Sequence, residues 1–296
     1  MGYGKKTKKR RDLYKETTDA IVAAIEKAIE EGKPLPWHKP WTGSEGGVMP
    51  VSGATGKRYK GVNIIRLWAA GYDDTRWFTY NGAKKAGGQV RKGEVSTPIV
   101  YFSFIEKKDE KTGKDKNIPI LRAFSGFNYE QCEWPEAVEA EAVEAERGDN
   151  LKLLEATGLE VRHGGGRAYY NRASDYIKMP KLEKFKTEDD YWATMWHEAT
   201  HATGHEDRLD RTFGKRFGDN AYAFEELVAE LGAAFICAEI GVTPSAGGRD
   251  DHAAYIQSWL KALKNDKRAI FTAAKKATQA AEWVIKSGEG AAEMAA

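Results

Sequence analysis

The stretch WHEATHATGHEDRLDR, residues 196–211, contains three of the six histidines in the chain. Within it, His197, Glu198 and His201 form the pattern H-E-x-x-H. Residues four apart on a helix project from the same face, so the two imidazoles can bind one metal ion. Glu198, between them, is placed to accept a proton from a water that the ion activates. This stretch therefore predicts a helix with a metal site, zinc being the expected ion and manganese or cobalt the alternatives.

The segment YAFEELVAELGAAF, residues 222–235, predicts a second helix that completes this site. A catalytic zinc ion needs a third protein ligand and an open position. We expect Glu226 to be that ligand, with Glu225 as the alternative because a helix register inferred from sequence can shift by one. Glu230, one turn later, is expected to hold the other ring N–H of a histidine ligand. Tyr222, one turn before Glu226, is a candidate donor to the oxyanion.

Not every histidine near the motif is expected to bind metal. A polar helix with unliganded surface histidines would also give H-E-x-x-H, although the carboxylates on the next helix favour a metal site. His205 continues the four-residue spacing after His201 and could make a three-histidine site. Gly204 indicates that the helix ends there, so we favour a surface position for His205 or a supporting contact behind the ligands. His38, in the segment WHKPW, is expected to be structural or to face nucleic acid.

Charge is distributed unevenly along the 296 residues, although the formal net charge of the whole chain is only +2. Residues 1–100 carry 19 lysines and arginines against 10 acidic residues, whereas residues 131–150 carry one arginine against seven acids. A basic N-terminal part indicates binding to a polyanion. A hydrophobic content of 41% is typical of a globular protein rather than a membrane or disordered one.

The basic N-terminal part also interleaves positive charge with aromatic residues. Cationic side chains bind the phosphate backbone, and exposed aromatic rings stack on unpaired bases. No helix-turn-helix or zinc-finger pattern is present, so single-stranded DNA is a better fit than duplex DNA. Burial of the aromatic residues in a core is the competing interpretation for each of them. The candidate DNA-binding residues are Lys57, Arg58, Tyr59, Lys60, Arg76, Trp77, Arg91 and Lys92.

These patterns predict an α+β protein with two domains. Residues 1–130 would form a small mixed α/β domain that binds single-stranded DNA, and residues 131–150 an acidic linker. Residues 151–296 would form a mostly helical domain with a short antiparallel sheet. No apolar run reaches the length of a membrane span, and the two cysteines make no disulfide framework. A cytoplasmic protein with no membrane partner is therefore expected.

The chain resembles the ArdC-type antirestriction proteins over nearly its whole length. The resemblance is carried by segments such as GKPLPWHKPW, TGKRYKGVNIIRLW and AYYNRASDYIKMP, in addition to the H-E-x-x-H stretch. It implies an N-terminal domain that binds single-stranded DNA and a zincin-like metallopeptidase domain, which together protect incoming plasmid or phage DNA from host restriction. His197 and His201 match the metal histidines of the family, Glu198 its catalytic glutamate and Glu226 its third-ligand segment. The acidic run in residues 131–150 is not part of the family pattern.

Three functions are compatible with these features. The first is a zinc peptidase that cleaves a host protein, such as a subunit of the restriction system, with residues 167–180 supplying an edge strand for the substrate backbone. The second is a steric protector that coats single-stranded DNA and whose metal site is structural. The third is a metallopeptidase that acts on a phage-type repressor.

Overall fold

The computed structural model describes residues 11–38, 49–108, 115–135, 149–212, 220–245 and 252–295. Most of the basic stretch at residues 1–11, most of the predicted acidic linker, Trp41 of the WHKPW segment and residues 109–114 lie outside these residues. The helices are α1 (Leu13–Glu30), α2 (Val62–Trp68), α3 (Tyr80–Lys85), α4 (Asn150–Thr157), α5 (Glu188–Ala202), α6 (Asn220–Ile240), α7 (His252–Asn265) and α8 (Ala269–Ala295). The strands are β1 (Val51–Ser52), β2 (Arg76–Phe78), β3 (Gln89–Val90), β4 (Thr97–Lys108), β5 (Asp115–Asn128), β6 (Cys132–Glu133), β7 (Glu160–His163), β8 (Tyr169–Asn171) and β9 (Tyr176–Met179).

The N-terminal part combines α1–α3 with a sheet in the order β1-β2-β5-β4. Strands β1 and β2 are parallel, and the other pairs of this sheet are antiparallel. Helix α1 begins at Leu13 because the Asp12 side chain accepts a hydrogen bond from the backbone N–H of Lys15. Its buried face includes Ile21 and Ile25, at the four-residue spacing of one helix face.

Strands β4 and β5 form a long two-stranded ribbon that extends from this sheet, in register from Thr97 opposite Gly126 to Lys108 opposite Asp115. The base of the ribbon is buried at Ile99, whereas farther out Phe102 and Phe104 are 56% and 65% exposed. The aromatic and β-branched residues of this region favour strands, but the ribbon is too long for the rest of the fold to cover it.

The C-terminal part is mostly helical and contains a three-stranded sheet in the order β7-β9-β8. The sequence predicted an antiparallel sheet, but the sheet is mixed: β8 is antiparallel to β9, and β7 is parallel to it. The difference arises because β7 does not pair with the next strand in sequence. It pairs with β9, on the side of β9 away from β8. Among the described helices, none combines the length and the apolar character needed to cross a bilayer.

The two parts share one apolar core. Its main cluster includes Ile21 and Trp37 from the N-terminal part together with Trp196, Leu231 and Ile270 from the C-terminal part. Helix α1 packs against α7, and α2 packs against α8. Because burial of this surface depends on both parts, their relative arrangement is fixed by the core.

Ion pairs add to the contact between the parts. Arg58 pairs with Glu239 of α6, and the Nζ atom of Lys60 lies 2.6 Å from the Oε1 atom of Glu282 on α8. Arg58 and Lys60, which the sequence analysis assigned to DNA binding, are therefore paired with carboxylates of the C-terminal part.

Candidate metal centre

Helix α5 carries the H-E-x-x-H motif through the core. Thr187 caps its first turn by accepting a hydrogen bond from the backbone N–H of Asp190. His197, Glu198 and His201 are only 3%, 6% and 9% exposed. Burying three ionisable side chains on one helix is costly unless they are paired or bind an ion, so their position needs a chemical explanation.

Helix α6 lies close against α5 at one glycine. A Cβ atom on Gly232 would lie 2.5 Å from Cγ2 and 2.8 Å from Oγ1 of Thr200, one residue before His201. Glycine in the middle of a helix costs about 1 kcal/mol relative to alanine. At this position the missing side chain lets the two helices approach, which brings the carboxylates of α6 to the histidines of α5.

His197, His201 and Glu226 converge at one point. The two Nε2 atoms are 3.2 Å apart. The Oε2 atom of Glu226 lies 3.6 Å from Nε2 of His197, and its Oε1 atom lies 3.5 Å from Nε2 of His201. Among the described residues, these three form the one group of His, Cys, Asp or Glu whose donor atoms lie within 4.8 Å of one another.

The arrangement fits a divalent metal ion. Tetrahedral bonds of about 2.1 Å separate neighbouring donor atoms by about 3.4 Å. The observed separations of 3.2, 3.5 and 3.6 Å are close to that value. Two imidazoles and a carboxylate are also a donor set that leaves a fourth position for water or substrate. A divalent metal is therefore consistent with both the donors and their spacing.

Each histidine is backed by a carboxylate at its other ring nitrogen. The Oε1 atom of Glu225 lies 3.4 Å from Nδ1 of His201, and the Oε2 atom of Glu230 lies 3.5 Å from Nδ1 of His197. Such carboxylates orient the ring and raise the basicity of a metal-binding histidine. Glu225, the alternative third ligand from sequence, thus contacts Nδ1 of His201 and does not face the point where the two Nε2 atoms and Glu226 converge.

Two residues that sequence reasoning did not assign to the site contact these carboxylates. Arg211 forms a buried ion pair with Glu225, with 2.7 Å between Nη2 and Oε1. His38, from the N-terminal part, contacts Oε1 of Glu230 through its Nε2 atom. Arg211 lies within the motif stretch, where its charge could have suggested a partner, but nothing in the sequence connects His38 to Glu230.

The electrostatics of the cluster favour an ionised pair when no metal is bound. Burial disfavours the charged form of His201, but Glu225 and Glu226 outweigh burial and raise the pKa of His201 to about 10. Burial also opposes ionisation of Glu226, yet interaction with His197 and His201 holds its pKa well below the usual range. A metal ion that binds His201 must therefore displace a proton.

The other predicted residues of the site take different positions. Glu198 lies close enough to His201 for its charge to contribute to the raised pKa of that histidine. The hydroxyl of Tyr222 lies 3.4 Å from that of Tyr255. Burial, Tyr255 and the nearby charge of Glu226 raise the pKa of Tyr222, so this hydroxyl stays protonated and can donate. His205 lies beyond the end of α5, where its Nδ1 atom accepts a hydrogen bond from the backbone N–H of Asp207, outside the cluster.

The predicted DNA-binding residues are not grouped on one open surface. Trp77 is 2% exposed and lies in the core, so the expectation that it contacts DNA is not supported by the fold. Besides Arg58 and Lys60, Arg76 is also engaged: it pairs with Asp74 at 2.6 Å and stacks over Tyr129. Local sequence could not reveal these partners, because most of them come from distant elements.

The remaining candidates differ in how exposed they are. Tyr59 is partly buried, and burial raises its pKa to about 12. Arg91 is exposed but pairs with Glu94 at 2.7 Å. Lys57 and Lys92 are exposed, and no carboxylate of the described residues pairs with either. These two lysines are the candidates that the fold leaves most available to a phosphate backbone.

Comparisons with known proteins agree with this architecture. Residues 11–127 match the model of the N-terminal domain of anti-restriction factor ArdC, and residues 149–276 match a zincin-like metallopeptidase domain. The metal-free crystal structure of the antirestriction ArdC protein from plasmid R388 superimposes with a TM-score of 0.78 at 43% identity, covering 95% of this chain and 99% of that one. The chain belongs to the ArdC family of antirestriction proteins.

Other similar proteins include a second crystal structure of the R388 protein, with a bound metal, and two bacterial sequences. The Mn(II)-bound crystal structure of the R388 ArdC protein aligns with a TM-score of 0.75 at 41% identity, covering 94% of this chain and 98% of that one. The y4eC protein of Sinorhizobium fredii is 40% identical over 92% of this chain and 91% of its own length. The Escherichia coli DNA primase TraC is 41% identical over 88% of this chain, which corresponds to 26% of the primase.

Proposed function

We propose that this protein protects incoming plasmid or phage DNA from host restriction by binding single-stranded DNA and by cleaving a host protein at a zinc site. The N-terminal region, residues 1–130, would bind DNA without sequence specificity, and residues 151–296 would form the peptidase domain after the linker at 131–150. The protein would act in the cytoplasm, where incoming DNA meets restriction enzymes. The observation that carries the peptidase assignment is the convergence of His197, His201 and Glu226 at metal-binding distances.

In this proposal His197, His201 and Glu226 hold the zinc ion, with manganese or cobalt as possible substitutes. When bound, the ion supplies Lewis acidity to the scissile carbonyl and to the attacking water. Glu198 accepts the proton of that water and later delivers it to the leaving amine. The protonated hydroxyl of Tyr222 donates a hydrogen bond to the carbonyl oxygen as negative charge develops there.

The substrate backbone would bind along strand β8, Tyr169–Asn171. This strand is at one edge of the β7-β9-β8 sheet and packs against α5, the helix that carries the motif. An edge strand offers unpaired backbone N–H and C=O groups to an extended peptide. The position of β8 therefore supports a peptide substrate rather than a small molecule.

The DNA-binding surface would include the exposed side of the β4–β5 ribbon in addition to Lys57 and Lys92. Phe102 and Phe104 lie two residues apart on one face of β4, and both are more than half exposed. Exposed aromatic rings in a row form a platform on which unpaired bases stack without sequence preference. Stacking on this face would supply the aromatic contacts that buried Trp77 does not.

An assay of restriction protection in cells tests whether peptide cleavage is needed for antirestriction. Wild type and Glu198→Gln are compared at matched expression, since this substitution keeps the shape and the three metal-binding side chains but removes the proton acceptor. Loss of protection with retained metal would support cleavage of a host protein. Full protection by Glu198→Gln would refute cleavage as the basis of antirestriction.

A second candidate function is steric protection by DNA binding, with the metal ion serving the fold. The deep burial of the cluster favours it, since Glu198 itself is only 6% exposed. Steric protection predicts that DNA affinity falls steeply as salt is added, because bound lysines and arginines release counterions from phosphate. Insensitivity of DNA binding to salt would count against this function. A metallopeptidase that acts on a phage-type repressor is not favoured by any particular contact.

A further inference from the structure

We infer that His38 is a positioning residue of the metal centre: it holds Glu230, and Glu230 in turn orients the imidazole of His197. The inference rests on the proposed metal site, but it concerns a residue from the other half of the chain. It makes the N-terminal part a structural component of a site whose metal-binding side chains all belong to the C-terminal part.

The backbone around His38 is firmly placed. Pro36–His38 forms a single turn of 3₁₀ helix, in which the backbone N–H of His38 donates to the carbonyl of Leu35 at 2.8 Å. The neighbouring Trp37 is 4% exposed, and its ring centroid lies 6.5 Å from that of Trp259 on α7. This anchoring presents the His38 ring to α6 at a defined position.

Glu230 connects the two histidines through its two carboxylate oxygens. Oε1 contacts Nε2 of His38, and Oε2 lies 3.5 Å from Nδ1 of His197. The side chain of Glu230 is 2% exposed, so its orientation depends on protein partners rather than on water. Within the described residues, Nδ1 of His197 makes no hydrogen bond, which leaves it available to donate to Glu230 when the opposite nitrogen binds a metal.

Each of the two metal-binding histidines thus has a carboxylate behind it, but the residues that contact these two carboxylates come from different parts of the chain. Behind His201, Glu225 is held by Arg211, which comes from the loop after α5. Behind His197, Glu230 is held by His38, which comes from the turn after α1. Loss of His38 would leave a buried carboxylate free to rotate away from His197, and the ring of that histidine would lose its fixed orientation.

Titration of the full-length protein with Co(II), with its visible absorption spectrum as readout, tests this inference. His38→Ala should lower the Co(II) affinity by about tenfold, the lower end of the loss expected when a supporting partner is removed. Its absorption bands should also shift, because the field of the ligands changes when His197 turns. His38→Gln, whose amide N–H can reach the position of Nε2, should restore most of the affinity. His163→Ala removes a histidine that bonds the hydroxyl of Tyr191 instead, and should bind Co(II) as wild type does.

A Glu230→Gln background shows whether His38 acts through Glu230. In this background His38→Ala should have little further effect on affinity, because coupled residues are not additive. All titrations are made well below the unfolding midpoint of each metal-free variant. Unchanged affinity and spectrum in His38→Ala, or fully additive losses in the double variant, would overturn the inference while leaving the metal site intact. Failure of the wild type itself to bind Co(II) would overturn the metal site and this inference together.

Discussion

Arg211 and Glu225 form a buried ion pair directly behind His201, and both side chains are 4% exposed. Arg211 donates further hydrogen bonds to the hydroxyl of Thr203, at 2.7 Å, and to the carbonyl of Thr200. The carboxylate of Glu225 therefore has a permanent cation on one side and an imidazole on the other. Burial opposes ionisation of Glu225, but His201 and Arg211 outweigh it and keep its pKa below the usual range.

Replacement of Arg211 by methionine should destabilise the protein strongly. Removing one partner of a buried pair leaves an uncompensated charge, which typically costs about 3–5 kcal/mol. Urea unfolding of the metal-free protein at neutral pH measures this loss of unfolding free energy. Arg162→Met is the control, because Arg162 pairs with Glu160 at the surface and should matter little. Equal stability of Arg211→Met and wild type would show that Glu225 does not depend on the pair.

Gly232→Ala should separate helices α5 and α6 and weaken the metal site. The new Cβ atom would lie 2.5 Å from Cγ2 of Thr200, so the Thr200 side chain must shift or helices α5 and α6 must move apart. Overpacking of this kind costs about 1–3 kcal/mol. We expect a lower thermal midpoint and weaker Co(II) binding, since the shift moves Glu226 away from both histidines.

Two comparisons isolate the steric cause. Gly166→Ala, at a glycine with open space around it, should leave the midpoint and the metal affinity unchanged. Adding Thr200→Ala to Gly232→Ala removes both atoms that clash and should recover part of the loss. No recovery in that double variant would mean that the helix separation is not set by this contact.

Asp175 should contribute stability that depends on pH. Its carboxylate accepts a hydrogen bond from Nη1 of Arg208 at 3.0 Å and one from the hydroxyl of Tyr170 at 2.7 Å. The contact with Arg208 lowers the pKa of Asp175, outweighing the opposite effect of burial. A lowered pKa in the folded state means that the stabilisation is present above about pH 4 and is lost as the pH falls through the folded value.

Asp175→Asn tests whether this stabilisation is lost as the pH falls. Asparagine tolerates the left-handed backbone at this position, where φ is 46°, so the variant removes mainly the charge. Because the side chain of Asp175 is 38% exposed, we expect a loss of at most about 1 kcal/mol at pH 7. Urea unfolding should show that the difference between the variant and the wild type shrinks as the pH falls below about 4. A difference that persists unchanged at low pH would contradict the role of the charge.

Phe102→Ala/Phe104→Ala should weaken binding to single-stranded DNA. Loss of base stacking costs about 1–3 kcal/mol per base, so we expect the double variant to bind at least about tenfold more weakly. Fluorescence anisotropy with a labelled thymidine oligonucleotide measures the affinity at two salt concentrations. The dependence on salt should stay the same, because the phenylalanines release no counterions.

Lys60→Ala is the matched control for that experiment. Lys60 pairs with Glu282, so its removal should affect the contact between the two parts of the chain more than the affinity for DNA. If Lys60→Ala weakens DNA binding and the phenylalanine variant does not, the ribbon is not the binding surface.

The residues of the site that share one helix could be predicted, because the geometry of a helix depends only on spacing along the sequence. The spacing of His197 and His201 places two imidazoles on one face of a helix, whatever surrounds it. The same rule places Glu226 and Glu230 one turn apart on α6. Which carboxylate faces which nitrogen depended on how α6 is rotated against α5, and the close approach at Gly232 sets that relationship.

The DNA-binding residues were less predictable because exposure is a property of the whole fold. A tryptophan next to an arginine looks the same in sequence whether it packs inward, as Trp77 does, or outward. The β-branched and aromatic residues of β4 favour a strand, but they do not show that the rings of Phe102 and Phe104 remain exposed.

By itself, the sequence determined the elements and the two imidazoles that share a helix face, since both follow from the regular spacing of side chains along a backbone. It also carried the resemblance to the ArdC family through segments spread along the whole chain. Only the tertiary structure decided that Arg58 and Lys60 bind helices of the other part and that His38 reaches Glu230. Contacts between residues so far apart in sequence depend on how a shared apolar core brings distant segments together, and no local spacing encodes that packing.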